Sequence, residues 1–287
     1  MRSGFGLLLT ILTAASAAAD PLAVEVMRDL SADVMQGREA GTEGGKRAGD
    51  YIIAKIEDLG LTPDVQTIPV GSGEGRNISA FVPGTGGGEA LILLAGHYDH
   101  LGMRDGVIRN GADDNASGAG ALMAVLDRVS RRPLKHDLLV VFFDDEEGGV
   151  DGSNWFVSLK PDLLARPMVM VNLDMIGRPE SGRVLVGGSR LTPGLSDIVE
   201  GVEAEGVHVV LRGDGIEGDV DWTRSSDHWR FHEAGKPFLF VHTGVHDDYH
   251  RATDDVDLID TDDYGDVVVW VKGLVDGLDN GLPTIAR

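Results

Sequence analysis

Four short runs of apolar sequence, at 91–95, 138–143, 168–173 (broken only by Asn172) and 238–241, each lead within a few positions into residues that ionise or bind metals. Four to six apolar residues without alternation suit strands covered on both faces, the condition of a mostly parallel sheet. Helical periods lie between and after them: Leu122, Val125, Leu126 and Val129 in one, and Val267, Val268, Val271, Leu274 and Val275 in another. Near the start, Asp20 and Pro21 suit the N-cap and first position of a helix carrying Val26, Met27, Leu30 and Val34. A second helix, with Ala48, Ile52, Ile56 and Leu59 on one face, stops at Gly60. Strands alternating with helices define a layered α/β fold. The expected architecture is a single three-layer domain over 20–287, its mostly parallel central sheet flanked by helices. The extended stretches 67–70 and 77–82 add antiparallel strands at an edge.

In such sheets the ligand crevice lies outside the carboxyl ends of the strands. The first run is followed by G-H-Y-D-H (96–100), the second by D-D-E-E-G-G (144–149) and the third by Asp174. The fourth leads into H-T-G-V-H-D-D-Y-H (242–250). A fifth polar loop, G-A-D-D-N-A-S-G (111–118), feeds the helix of Leu122. It is no calcium loop, because the twelfth position, which needs an acid, is Ala124. No G-x-S-x-G elbow and no phosphate-binding loop occurs, so serine hydrolysis and nucleotide chemistry have no support.

Composition narrows the chemistry further. With no cysteine, disulfides, thiolate zinc sites and cysteine nucleophiles are out, and any metal must be held by His, Asp and Glu. A net charge of −22, from 47 acidic against 25 basic residues, repels nucleic acids and anionic membrane surfaces. Residues 1–19 read as an export signal: Arg2, a short apolar stretch from Phe5 to Leu12, and Ala17 and Ala19 before Asp20. That stretch is too short to span a membrane, so the expected product carries no membrane anchor and is periplasmic or secreted. Imidazoles and carboxylates without thiolates suit zinc or a neighbouring divalent ion. Five such ligands exceed the needs of one catalytic zinc and suit a pair of ions about 3.5–4 Å apart sharing one carboxylate. Adjacent Glu146 and Glu147 can divide the labour, one facing a metal and one acting as base.

G-H-Y-D-H, G-A-D-D-N-A-S-G, E-E-G (146–148), N-L-D (172–174) and Y-H (249–250) stand in the order found in the M28 family of di-zinc aminopeptidases. The loop G-R-E-A-G-T-E-G (37–44) and S-D-H-W-R-F (226–231) resemble further family segments. The resemblance implies a zinc-dependent exopeptidase-like fold and two Zn²⁺ per chain. His97 and Asp174 would bind one ion, Glu147 and His250 the other, with Asp114 bridging them. Glu146 would be the general base activating the water between the metals, and Asp99 would hydrogen-bond the outer ring nitrogen of His97. Tyr249 would donate to the oxyanion. The implied activity is removal of N-terminal residues from peptide substrates. Carboxypeptidase or other amidohydrolase action on the same core, a glutaminyl-cyclase-like acyl transfer and a non-catalytic binding role are the alternatives. His100, Asp144, Asp145, His242 and His246 match no ligand position, and His228 reads as a packing or capping residue.

Overall fold

A computed structural model of the chain describes residues 19–285 apart from positions 72, 89 and 217. The export signal expected over 1–19 lies, but for Ala19, outside the described residues. Among the described residues the strands are β1 (Pro63–Val70), β2 (Gly73–Val82), β3 (Leu91–His97), β4 (Met103–Arg104), β5 (Val107–Ile108), β6 (Asp137–Phe143), β7 (Met168–Leu173), β8 (Arg183–Gly187), β9 (His208–Leu211) and β10 (Phe238–His242). The helices are α1 (Pro21–Leu30), α2 (Glu43–Asp58), α3 (Gly118–Arg131), α4 (Asp151–Leu159), α5 (Pro161–Leu164), α6 (Leu195–Glu200), α7 (His228–Glu233) and α8 (Thr261–Ile285). None of them is long and apolar enough to cross a membrane.

Eight strands form one sheet in the order β1-β2-β6-β3-β7-β10-β8-β9. Its centre, β6-β3-β7-β10, is parallel, and the four strands are the four apolar runs. Each is covered on both faces, which is why its sequence does not alternate. Along β3, Ile92 and Leu94 enter the core shared with α1, α2, α3 and α8, while Leu91, Leu93 and Ala95 enter a second core with Phe156 and Phe231. At roughly 1.5–3 kcal/mol for each fully buried large aliphatic or aromatic side chain, this two-sided burial is the main force holding the sheet. The hairpin of β1 and β2 is antiparallel and forms the expected edge.

Local signals explain the helix ends. Asp20 accepts from the N–H groups of Leu22 and Ala23 and so caps α1. Just past the last turn of α2, Gly60 takes φ +76°, a left-handed conformation that suits glycine. From β3 the chain crosses through α3 on one face of the sheet to β6. It then returns through α4 on the other face to β7, on the opposite side of β3. Loops therefore part at the carboxyl end of β3, where open α/β sheets form their ligand crevice.

S-D-H-W-R-F opens α7 and is buried at Ser226, Asp227 and His228. The His228 ring is stacked between Phe238 and Phe240, with centroids 4.8 and 4.4 Å away. Its Nε2–H donates to the Trp222 carbonyl at 2.7 Å, leaving Nδ1 buried without a partner among the described residues. Burial therefore pushes its pKa down to about 4 from an ordinary 6.5. Between those two values the unfolded chain binds the proton and the folded chain does not. The contribution of His228 to stability is thus full above about pH 6.5 and falls by about 3 kcal/mol as the pH drops to about 4. Denaturant titrations across that window should show a shallower fall for His228→Phe than for the wild type; parallel curves would remove His228 from the acid response.

Candidate metal centre

The sheet brings ionisable side chains from five separate segments to one point. His97 ends β3, and its Nδ1 donates to the Asp99 carbonyl at 3.2 Å, with the Asp99 carboxylate at 3.5 Å. That contact leaves Nε2 facing Asp114 Oδ1 and Asp174 Oδ1, each 3.4 Å away. Asp114 turns its other oxygen the opposite way: Oδ2 lies 3.3 Å from His250 Nε2 and 3.8 Å from His100 Nδ1. Glu147 closes this second group, with Oε2 3.1 Å from His250 Nε2 and Oε1 2.7 Å from His100 Nδ1. Two sets of potential metal-binding atoms thus share Asp114, namely His97–Asp114–Asp174 and His100–Asp114–Glu147.

Glu146 faces the adjoining cavity of 310 Å³, which His97, Asp114, Asp174, Tyr249 and His250 also line. Asp99 lies beneath the pair of glutamates. Its carboxylate accepts the N–H groups of Glu146 (3.1 Å) and Glu147 (3.3 Å), so it holds the turn that aims both side chains. Tyr249 stacks on the His250 ring with centroids 3.7 Å apart.

The electrostatics are those of an anionic pocket. Burial holds the Glu146 carboxyl well above the ordinary range, with Asp174 and Asp227 adding to the effect and His97 opposing it. Burial and the charge of Glu147 raise Asp114. For Asp174, burial acts upward but His97 and Ser226 overcome it and lower the pKa. Glu147 goes the same way, since His100 and His250 outweigh its burial. His250 is raised to about 10 by its contacts with Asp114 and Glu147. Burial, then the surrounding carboxylates, keep the Tyr249 phenol protonated well past neutrality.

The sequence profile of peptidase family M28 matches residues 77–272, a stretch that contains every residue of this cluster. The chain belongs to peptidase family M28. Probable leucine aminopeptidase 2 of Aspergillus fumigatus is 26% identical over 170 residues, covering 54% of this chain and 33% of that protein. Across the curated relatives it matches, the alignment spans less than half of their length. Among solved structures, BSAP, a zinc aminopeptidase from Bacillus subtilis, has a TM-score of 0.74 at 16% identity, covering 91% of this chain and 96% of that one. The Fimbriiglobus ruber glutaminyl cyclase has a TM-score of 0.73 at 21% identity, covering 91% and 97%. At these identities the likeness is one of fold.

Several further residues hold this M28 site together. The Asp254 carboxylate accepts the N–H groups of both Asp113 and Asp114, each at 3.0 Å, and so anchors the Asp114 loop. Asn115 Nδ2 donates to the Leu173 carbonyl at 2.9 Å, and its Oδ1 accepts from Met175 N–H at 3.2 Å, tying the loop to the end of β7. At Gly111, φ is +55° and a Cβ would stand 2.1 Å from the Asp114 carbonyl oxygen, which explains the first glycine of G-A-D-D-N-A-S-G. His246 accepts at Nδ1 from Arg178 (3.0 Å) and from Asp248 N–H (3.2 Å), so its proton sits on Nε2, 3.1 Å from Asp113 Oδ2. It thus ties the loop bearing Tyr249 and His250 to the loop bearing Asp114. His242, pushed down to about 4 by burial, stacks on Phe240 and meets Trp222 edge-on, forming a neutral cavity wall. Trp222 and Ser225, from the Gly- and Asp-rich stretch 212–227, line the same cavity.

Proposed function

We propose that this chain is a di-zinc aminopeptidase that removes N-terminal residues from peptides after export, in the periplasm or outside the cell. The observation that carries the reading is Asp114, one oxygen turned to His97 and the other to His250, as a carboxylate shared by two ions requires. The donor set suits zinc, being imidazole and carboxylate without thiolate. The site also contains three buried atoms with no hydrogen-bond partner among the described residues: both ring nitrogens of His100 and Glu147 Oε1. One cation could satisfy Glu147 Oε1 and the nearby Nδ1, though not Nε2 on the far side of the same ring. His97 and Asp174 would hold one ion, Glu147 and His250 the other, and Asp114 both.

When bound, the ions would supply Lewis acidity, acidifying a water and polarising the scissile carbonyl. The remaining work falls to the chain. Glu146 takes the proton of the attacking water onto its carboxylate and returns it to the leaving amine, and its high proton affinity suits both transfers. Tyr249, protonated throughout, donates to the carbonyl oxygen as it becomes anionic. Met175, Trp222, Phe240 and Val245 give the cavity an apolar side for a substrate side chain.

Two measurements test this reading. Elemental analysis of zinc-equilibrated, chelator-free protein is expected to give about two equivalents per chain; one or none would overturn the di-zinc assignment. A panel of aminoacyl amides is expected to be cleaved only when the α-amino group is unblocked. Equal cleavage of N-blocked compounds would favour another amidohydrolase, and cyclisation of a glutaminyl amide with release of ammonia would favour acyl transfer.

A further inference from the structure

His100 stands outside the five metal ligands proposed above, yet its surroundings are those of a ligand. Its side chain is fully buried three residues after His97, and neither ring nitrogen has a hydrogen-bond partner among the described residues. Nδ1 lies 2.7 Å from Glu147 Oε1, but the ring N–H direction misses that oxygen, which is left equally unpartnered. Nδ1, a Glu147 oxygen and an Asp114 oxygen all lie within 4.8 Å of one another. Donors about 2 Å from a common ion have this spacing, and their lone pairs then meet at the ion rather than at each other. The ring lies close against Gly111, where an added Cβ would stand 2.5 Å from it. His250, by contrast, has 38% of its side chain exposed and approaches the same two carboxylates from the solvent side.

We propose that His100 is a direct ligand of the second ion. With Asp114 and Glu147 it forms a buried three-residue seat, and His250 closes that seat from outside. The proposal rests on the di-zinc reading, so the wild type is measured first. Apoprotein titrated calorimetrically with Zn²⁺ should bind two ions; failure to bind the second would overturn both readings. In His100→Ala one ion should bind as in the wild type and the other more than tenfold more weakly, while His250→Ala keeps both sites measurable. With Co²⁺ in place of zinc, the visible absorption of His100→Ala should change, because a nitrogen ligand has gone.

A second affinity within tenfold of the wild type would overturn the assignment. So would a weakened site with an unchanged cobalt spectrum, since His100 would then only position Glu147. Where His100→Ala does not fold, as judged by circular dichroism, His100→Gln is measured in the same way. Independently of any variant, Co²⁺-loaded wild-type protein should show two buried, slowly exchanging, hyperfine-shifted ring N–H signals, from His97 and His100. One such signal alone would overturn the proposal.

Discussion

Replacing Glu146 by Gln is expected to lower turnover about 10²–10⁴-fold while zinc content stays at the wild-type level. The two effects separate because of how the 144–149 turn is built. Asp99 accepts the N–H groups of both Glu146 and Glu147, so the turn does not depend on either side chain. The Glu147 carboxylate faces the imidazoles of His100 and His250, whereas Glu146 faces the cavity. Gln at position 146 keeps the shape and much of the polarity but can neither accept a proton from water nor hand one to the leaving amine. Because the lost interaction is made in the transition state, kcat should fall and KM should stay near its wild-type value. Glu147→Gln should behave differently, losing metal before it loses chemistry. Kinetics on an unblocked aminoacyl amide, with metal analysis on the same samples, distinguish these outcomes. Unchanged turnover in Glu146→Gln would take that residue out of the mechanism.

The contrast between those neighbours was legible in the sequence, because consecutive side chains at a strand end point different ways. The sheet was legible for a related reason: burial on both faces removes the period of two, so β3, β6, β7 and β10 stand out as largely apolar runs. Their polar sequels marked one sheet edge because parallel strands share a direction. Strands β8 and β9, the last two of the sheet, carry no comparable signal. β9 is only partly buried, with alternate residues exposed, and β8 offers only Val184, Leu185 and Val186 between Arg183 and Gly187, so neither has a long apolar run. His100 does not stand out in the sequence, because a polar residue in a loop is ordinary until its surroundings are known. Asp254 and His246 act on partners more than 130 positions away, and no local pattern encodes such a pairing. Arg38 is the clearest case: an arginine in a glycine-rich loop reads as a solvated charge, and only the packed tertiary structure shows otherwise.

Arg38→Met is expected to destabilise the protein by about 3–5 kcal/mol, a large part of the total stability of a typical domain. The guanidinium is fully buried, and its donors reach four carbonyls on three backbone segments. Nε donates to the Tyr98 carbonyl at 2.8 Å, Nη1 to the carbonyls of Leu30 (2.8 Å) and Asn110, and Nη2 to that of Gly111 at 2.9 Å. These carbonyls belong to the end of α1, the turn between His97 and Asp99, and the entry to the Asp114 loop. One planar fork therefore sets the spacing of two loops that carry proposed metal ligands. Burial pulls its pKa down to about 10, with Asp114, Asp99, Asp254 and Glu147 holding it up, so it remains charged at neutral pH. Methionine fills similar volume but leaves four carbonyl oxygens in a dry interior, each unsatisfied group costing about 1–3 kcal/mol before relaxation. Lysine should recover less than half of the loss, because one ammonium cannot reach four acceptors arranged for a planar group. Removing a positive charge would by itself favour zinc, so weaker zinc binding by Arg38→Met would show that loop spacing outweighs charge at this site. Denaturant midpoints at constant slope, measured with and without zinc, test the stability claim. A loss below about 1 kcal/mol would mean that water or neighbouring donors replace the fork.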